Sequence, residues 1–192
     1  AGLMEFNEFL VATVTKQEEL TELAEAYGEF LHALACRCLE AGAHGLIIGD
    51  DMAATNGPII SPKALEKIFF PVYRRLLGDL KRREIPVILH CDGNINLLLP
   101  YFAGLGFTGV HSLEPAAGMD LAAIKQRYGR DLCLMGNIDP SLLEQDNLEL
   151  VKKVVRETLQ IGSPGGGFIL STASGSLTEG MNPEAVLVMY RT

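Results

Sequence analysis

The sequence has few basic residues, few cysteines and no long apolar run, and each shortage argues against a class of protein. No apolar stretch approaches the roughly 20 residues of a membrane-spanning helix, so no membrane span is expected. Only 16 Lys and Arg residues stand against 24 Asp and Glu residues, which gives a formal net charge of -8. Because a nucleic-acid surface needs clustered cations, the composition argues against a nucleic-acid partner.

The four cysteines are too few for a dense disulfide framework, and the chain has no signal-like start. We therefore expect reduced thiols and a cytoplasmic protein. Cys36, Cys38 and Cys133 are predicted to be small apolar fillers of the core. The fourth cysteine, Cys91, lies in the stretch that organises the rest of the chain.

Apolar residues are abundant, since 48% of the 192 residues are hydrophobic. This length and composition predict a single domain over residues 1–192 with a sizeable core. The chain begins with Ala1 rather than Met, and it stops within an amphipathic helical pattern. We interpret it as a piece of a longer protein.

Five short apolar runs, each followed by polar residues and Gly or Pro, predict strands that are buried on both faces. The central run is IPVILHCDGN (85–94), which delivers His90, Cys91 and Asp92 to one strand end. The other four are GLIIGDD (45–51), TGVHSLEP (108–115), DLCLMGNIDP (131–140) and GGFILSTASG (166–175).

Helical periodicity and capping signals alternate with these strands. Ser61 before Pro62 predicts a helix start, as does the capping residue Asp120. The predicted helices are Gln17–Glu40, Pro62–Arg83, Ile95–Ala103, Asp120–Tyr128, Asn147–Gln160 and one that begins at Pro183. The first of these should bury one face, and residues 1–16 fit only a lead-in or a partial element.

The repeated order of strand and helix implies parallel strands joined by right-handed crossovers. Five strands are too few for a closed barrel of this kind, which has eight strands and about 250 residues. An open, doubly wound sheet is the alternative. No Gly-rich phosphate loop follows any of the strands, which weakens the dinucleotide-binding version of that sheet.

Five ordered motifs resemble the C-terminal part of the uroporphyrinogen decarboxylase superfamily. They are GDDMAATNGPIISPKALEKIFFPVYRRL, VILHCDGN, GVHSLEPAAGMD, LMGNIDP and GGGFILSTASG. The superfamily includes the decarboxylase of haem synthesis and cobamide-dependent methyltransferases that pass methyl groups between corrinoid proteins and thiols or folates. The resemblance implies an incomplete TIM-type (β/α) barrel, with about five C-terminal β/α units and an active site at the C-terminal strand ends.

The chain departs from both of these branches. The decarboxylases have a GLDWT-like segment in place of VHSLEP and NLGHG in place of STASG. The thiol-directed methyltransferases bind zinc through a His-x-Cys pair and a later Cys, where this chain has His90, Asp92 and Ser174. Cys91 is one place out of register and should point to the opposite side of the strand. The pattern is most similar to the methyltransferase-like branch.

His90 and Asp92 alternate onto one side of an extended segment, so they can converge on one ligand. Zinc accepts imidazole nitrogen and carboxylate oxygen, and a catalytic site needs about three protein ligands. Glu114 is predicted as the third ligand or as a general acid/base. The alternative is that His90 is a hydrogen-bonded histidine of the barrel mouth and that Asp92 caps a turn. His111 is interpreted as a packed barrel residue.

Asp50 and Asp51 are predicted catalytic carboxylates, one of which should point into the mouth and hold a substrate N–H group or a cation. The alternative is an Asx-type turn cap. Asn137, Asp139 and Ser174 are predicted to bind substrate, although the segment around Asp139 also fits a capped helix start.

These residues lead to three hypotheses. The first is metal-assisted methyl transfer between a corrinoid, carried by a partner protein, and a small acceptor. The second is decarboxylation of a tetrapyrrole, a porphyrinogen, which requires no cofactor. The third is a binding or assembly module without catalysis. Since five strands leave two open sheet edges, we also expect a homo-oligomer or pairing with a missing N-terminal part.

Overall fold

The computed structural model describes residues 3–192. Its strands, in chain order, are β1 (Leu46–Gly49), β2 (Ala53–Ala54), β3 (Gly57–Pro58), β4 (Val87–Cys91), β5 (Gly109–Ser112), β6 (Cys133–Ile138) and β7 (Phe168–Thr172). Strands β1, β4, β5, β6 and β7 form a parallel sheet in that order, whereas β2 and β3 form a short antiparallel hairpin. The five predicted strands are therefore confirmed, and the hairpin in the loop after β1 is an addition.

Two helices precede β1, one follows β7, and the others lie between the strands of the main sheet. They are α1 (Phe6–Thr15), α2 (Gln17–Glu40), α3 (Pro62–Ile68), α4 (Phe70–Arg82), α5 (Leu99–Leu105), α6 (Leu121–Tyr128), α7 (Pro140–Leu143), α8 (Leu148–Gly162) and α9 (Pro183–Arg191). Residues 1–16 were predicted as a lead-in or a partial element, and α1 now accounts for most of them. In the described residues no helix is both long and apolar enough to cross a bilayer.

Two predicted helices differ from those observed. The prediction of a single helix over 62–83 is wrong, because the helix is interrupted at Phe69, between α3 and α4. Pro71 has no N–H to continue the hydrogen-bond ladder, and its ring crowds the preceding turn. Helix α5 starts at Leu99 rather than Ile95, since 95–98 form turns, and it ends at Gly106 with φ of 99°.

Among the residues that the structure describes, helices cover one face of the main sheet and leave the other face open. Leu89, Val110 and Leu134 share one register row and are each 0% exposed. On the opposite face Ile47 is 61% exposed and Ile169 is 42% exposed. This second face would line the interior of a closed barrel, so the described sheet forms an open part of a barrel.

The burial of α2 differs from the prediction of one buried face. Leu20, Gly28 and Ala35 are buried, but a second stripe of large apolar side chains is exposed. Its members are Leu23, Tyr27, Phe30 and Leu34. The helix is therefore apolar on two sides, and only one of them is covered.

The cysteine prediction needs a similar correction. The described cysteines are unpaired, but Cys38 is exposed and Cys36 and Cys133 are only half-buried. Of the four, Cys91 alone is a core residue, at 1% exposed. Cys36 and Cys38 lie on α2, where the uncovered faces leave them near the surface.

Gly28 marks a close approach between α2 and α4, and we expect Gly28→Ala to destabilise the fold. An added Cβ would lie 2.2 Å from Cγ1 of Val72, a stiff β-branched side chain. Overpacking of this kind costs about 1–3 kcal/mol. Gly78→Ala in α4 is the matched control, because nothing lies within 4 Å of its Cβ position and alanine favours a helix by about 1 kcal/mol.

Thermal unfolding followed by circular dichroism tests this pair. The midpoint should fall for Gly28→Ala and rise by about 2–4 °C for Gly78→Ala. Adding Val72→Ala to Gly28→Ala should recover part of the loss, because it removes the clashing methyl group. A midpoint that rises equally in both single variants would show that α2 and α4 are not in close contact here.

Candidate metal centre and active site

The ends of β1 and β4 bring three side chains together at the C-terminal edge of the sheet. Gly49 is paired in register with His90, so the loops that follow the two strands are neighbours. One ligand atom from each of Asp51, His90 and Asp92 lies within 4.8 Å of the other two. The backbone N–H of Asp92 also donates to Oδ1 of Asp51 at 2.9 Å, which ties the two loops together.

Asp92 has one carboxylate oxygen with no protein partner. Its Oδ2 lies 3.7 Å from Nε2 of His90, while its Oδ1 is buried and accepts no hydrogen bond from any described residue. Leaving a carboxylate oxygen buried and unpaired costs free energy, so such an oxygen is expected to meet a cation or a donor in the working protein. The same-side placement of His90 and Asp92 agrees with the alternation of the strand.

Cys91 lies on the other side of β4, among the helices. The backbone N–H of Met52 donates to its sulfur at 3.2 Å. Burial raises the pKa of the Cys91 thiol to about 12, so it stays protonated. A neutral buried thiol that faces away from His90 is not placed to bind a metal with it.

Glu114, predicted as the third ligand or as a general acid/base, lies beside the loop after β4. Its Oε2 accepts a hydrogen bond from the backbone N–H of Gly93 at 3.0 Å, so it anchors the loop after β4. Gly93 has φ of 80°, and a Cβ there would lie 2.7 Å from the backbone of Ala54 in the hairpin. Among the described residues, the third close ligand atom comes from Asp51 and not from Glu114.

Asp50 and Asp51 point in different directions. The hydroxyl of Tyr73 in α4 donates to Oδ2 of Asp50 at 2.6 Å. Asp50 is exposed as a residue, yet desolvation of its carboxyl group beside α4 raises its pKa, an effect that the Tyr73 hydrogen bond partly offsets. Asp51 is therefore the member of the pair that meets His90 and Asp92 at the mouth.

His111 contacts His90 directly. Its Nδ1 lies 2.8 Å from Nδ1 of His90, and the two rings are 4.9 Å apart. Its Nε2 lies 3.0 Å from both Oγ of Ser171 and the carbonyl oxygen of Thr172. Burial lowers the pKa of His111, which favours its neutral form. His111 is packed, as predicted, but it also links the centre to β7.

The three predicted substrate-binding residues all make contacts within the protein. The amide nitrogen of Asn137 donates to the carbonyl oxygens of Leu113 and Met119, so it holds the loop after β5. Asp139 caps α7 by accepting from the N–H of Ser141 at 2.9 Å, the structural alternative that its sequence context had left open.

Ser174 lies in the loop after β7, which approaches the centre. A Cβ added at the next residue, Gly175, would be 3.6 Å from Nε2 of His90. The hydroxyl of Ser174 donates to the carbonyl oxygen of Ser176 at 2.9 Å. The loop is therefore close to His90, while the Ser174 hydroxyl is engaged elsewhere.

Comparisons with known proteins connect this geometry to a family. The family model described as uroporphyrinogen decarboxylase (URO-D) matches residues 1–192. A uroporphyrinogen decarboxylase of Trichodesmium erythraeum is 28% identical over 83% of this chain and 42% of its own length. One from Xanthomonas oryzae pv. oryzae is 30% identical over 78% of this chain and 42% of its own length. The chain thus spans about two fifths of these curated relatives.

A solved structure agrees with the predicted fold. A methyltransferase from Methanosarcina mazei superposes with a TM-score of 0.75, at 23% sequence identity, over 98% of this chain and 53% of its own. At this identity the likeness concerns the fold alone. It confirms an α/β fold of the incomplete TIM-type barrel class, with the described sheet unclosed.

Proposed function

The chain belongs to the uroporphyrinogen decarboxylase family, and from that premise we propose that its barrel mouth serves metal-assisted methyl transfer between a corrinoid and a small acceptor. The observation that carries the proposal is the convergence of Asp51, His90 and Asp92, together with the buried, unpartnered Oδ1 of Asp92.

The donor set suits a divalent metal such as zinc. One imidazole nitrogen and two carboxylate oxygens are ligands that zinc accepts, and three protein ligands leave a position open for a reacting molecule. The two carboxylates are close to each other, so a dication at this point would offset their repulsion. A cation there would also satisfy the oxygen of Asp92 that has no partner.

The residues of the chain have separate roles in this proposal. A bound metal would supply a Lewis acid that lowers the pKa of an acceptor, for example a thiol. Asp51, His90 and Asp92 would hold it, and Glu114 would keep the loop after β4 in place through the N–H of Gly93. Asn137 would fix the neighbouring loop through Leu113, so that the mouth keeps its shape.

The charge of the loops favours methyl transfer over decarboxylation. The segments between the five sheet strands and the helices that follow them comprise residues 50–61, 92–98, 113–120, 139 and 173–182. They contain no Lys or Arg, whereas Asp50, Asp51, Asp92 and Glu114 are among their carboxylates. A porphyrinogen that carries many carboxylates would meet like charge there, which costs free energy.

Porphyrinogen decarboxylation is nevertheless the second candidate, because the curated relatives named above are decarboxylases. In that reaction the exposed carboxylate of Asp51 would accept hydrogen bonds from the pyrrole N–H groups. In this candidate, which needs no metal, the unpartnered oxygen of Asp92 would have to accept from a substrate N–H group rather than bind a cation.

Two parallel assays of the purified polypeptide separate the candidates. With zinc, methylcobamide and a small thiol, we expect the visible spectrum of the corrinoid to change as the methyl group leaves, and His90→Ala to remove this change. With uroporphyrinogen, we expect no loss of carboxyl groups in chromatography of the oxidised products. Conversion of uroporphyrinogen with indifference to methylcobamide would overturn the proposal. If the polypeptide is inactive in both assays, the hypothesis of a binding or assembly module without catalysis is favoured instead.

A further inference from the structure

A line of hydrogen bonds runs from the centre to the last strand of the sheet. It passes from Nδ1 of His90 to Nδ1 of His111 at 2.8 Å, and from Nε2 of His111 to the carbonyl oxygen of Thr172 at 3.0 Å. The line connects β4, β5 and β7, and it ends at a backbone group that side-chain substitution does not remove.

The backbone end of this line determines where the protons are. The carbonyl oxygen of Thr172 is only an acceptor, so Nε2 of His111 must carry hydrogen to bond with it. The hydroxyl of Ser171 donates to the same carbonyl oxygen at 2.7 Å, so its own oxygen is free to accept from His111 as well. In a neutral imidazole the other nitrogen then carries a lone pair, and Nδ1 of His111 is an acceptor.

The same reasoning extends to His90. An acceptor at 2.8 Å from Nδ1 of His90 requires that this nitrogen carry hydrogen. Neutral His90 therefore has its lone pair on Nε2, the nitrogen that lies 3.7 Å from Oδ2 of Asp92. If both histidines had the opposite tautomer, Nε2 of His111 would carry a lone pair. That lone pair would face the carbonyl oxygen of Thr172, so two acceptors would lie 3.0 Å apart.

We propose that His111 is a positioning residue, which fixes the tautomer and orientation of His90 so that its Nε2 lone pair is on the side of Asp92. A histidine that binds a metal uses one ring nitrogen for the metal and the other for a fixed partner. The expected effect of His111 on metal affinity therefore rests on the proposed function. The tautomer of a neutral His90 follows from the contacts of the two histidines with the protein and does not depend on a metal.

Two substitutions of His111 separate positioning from packing. His111→Leu fills much of the same space but gives His90 no acceptor. His111→Asn places an amide oxygen close to the former position of Nδ1, so it can still accept from His90. Ser171→Ala is a further control, because the Thr172 carbonyl remains. Circular dichroism of each variant establishes whether it folds. If His111→Leu misfolds, the tautomer of His90 in wild type remains the test.

The first readout is the tautomer, measured without metal by long-range ¹H–¹⁵N correlation on histidine-labelled protein. The chain has four histidines, so single substitutions assign the signals. In wild type, in Ser171→Ala and in His111→Asn, we expect a protonated Nδ1 and an unprotonated Nε2 for His90. In His111→Leu, His90 should move toward the opposite tautomer. An unprotonated Nδ1 of His90 in wild type, or no difference between His111→Leu and wild type, would overturn the inference.

The second readout is the affinity for Zn²⁺ alone, measured by competition with a chelator. Loss of an orienting partner costs about 10–100-fold in metal affinity, so His111→Leu should fall in this range and His111→Asn should lie much closer to wild type. Equal affinities in wild type and His111→Leu would contradict the positioning role. If wild type binds no Zn²⁺ while the tautomers are as expected, the proposed function fails and the assignment of His111 stands.

Discussion

His90→Ala should abolish the binding of one divalent metal per chain, with a loss of affinity of more than about 100-fold. The side chain supplies the single nitrogen of a three-residue set, and its removal leaves two carboxylates whose ligand atoms lie close together. Removing a ligand should cost more than removing a residue that only orients it, which itself costs about 10–100-fold. Metal content after dialysis, measured by inductively coupled plasma mass spectrometry, is the direct test.

The neighbouring cysteine provides the matched control. Cys91→Ser keeps an acceptor for the N–H of Met52 and changes a side chain that faces the helices rather than the mouth. Metal content should stay close to wild type. If His90→Ala retained as much metal as wild type, the metal centre would be ruled out. If Cys91→Ser lost it, the side assignment of β4 would be wrong.

A second pair of variants tests whether the third metal ligand is Asp51, as the structure indicates, or Glu114, as the sequence predicted. Asp51→Asn removes a charge from the group of three, so metal affinity should fall. Glu114→Gln retains an oxygen that can accept from the N–H of Gly93, so affinity should change little. The reverse order, with Glu114→Gln the weaker binder, would restore Glu114 as the third ligand. Chelator competition with Zn²⁺ measures both variants under one condition.

The strand residues of the centre could be predicted because alternation in a strand is a local property. His90 and Asp92 share a side, and Cys91 does not, whatever the rest of the chain does. The start of α6 could be predicted for a similarly local reason, since Asp120 accepts from the N–H groups of Ala122 and Ala123. The break at Phe69 had a visible signal in Pro71 that the long apolar periodicity concealed.

The rest depended on contacts between loops and between strands. Asp51 reaches the centre because Gly49 is in register with His90, whereas Glu114 is drawn to the N–H of Gly93. Sequence spacing contains neither the register nor that hydrogen bond. His111 had a weak signal, since it follows a short apolar run just as His90 does. Its contact with His90 could be seen only in the structure, where the pairing of β4 with β5 places the two rings side by side.

The described chain should associate with itself rather than persist as a monomer of 20.8 kDa. Strands β1 and β7 each have one neighbour in the sheet, so each has an edge of backbone groups without a strand partner in the described residues. The unpaired N–H and C=O groups of such an edge can pair with a strand of another chain. Beside them the uncovered face of the sheet exposes Ile47 and Ile169, and α2 exposes its second apolar stripe. Size-exclusion chromatography with light scattering should give a mass above that of one chain.

Two isoleucines of equal exposure test whether the open face of the sheet drives this association. Ile169 in β7 and Ile161 in α8 are each 42% exposed, but only Ile169 lies on the open face. Ile169→Lys should shift the distribution toward monomer, and Ile161→Lys should not. A monodisperse wild-type monomer would contradict the prediction. Helix α1 packs on α2, and its Phe9 ring lies 6.0 Å from that of Phe69. A monomer would require that some part of the chain covers β1 and β7.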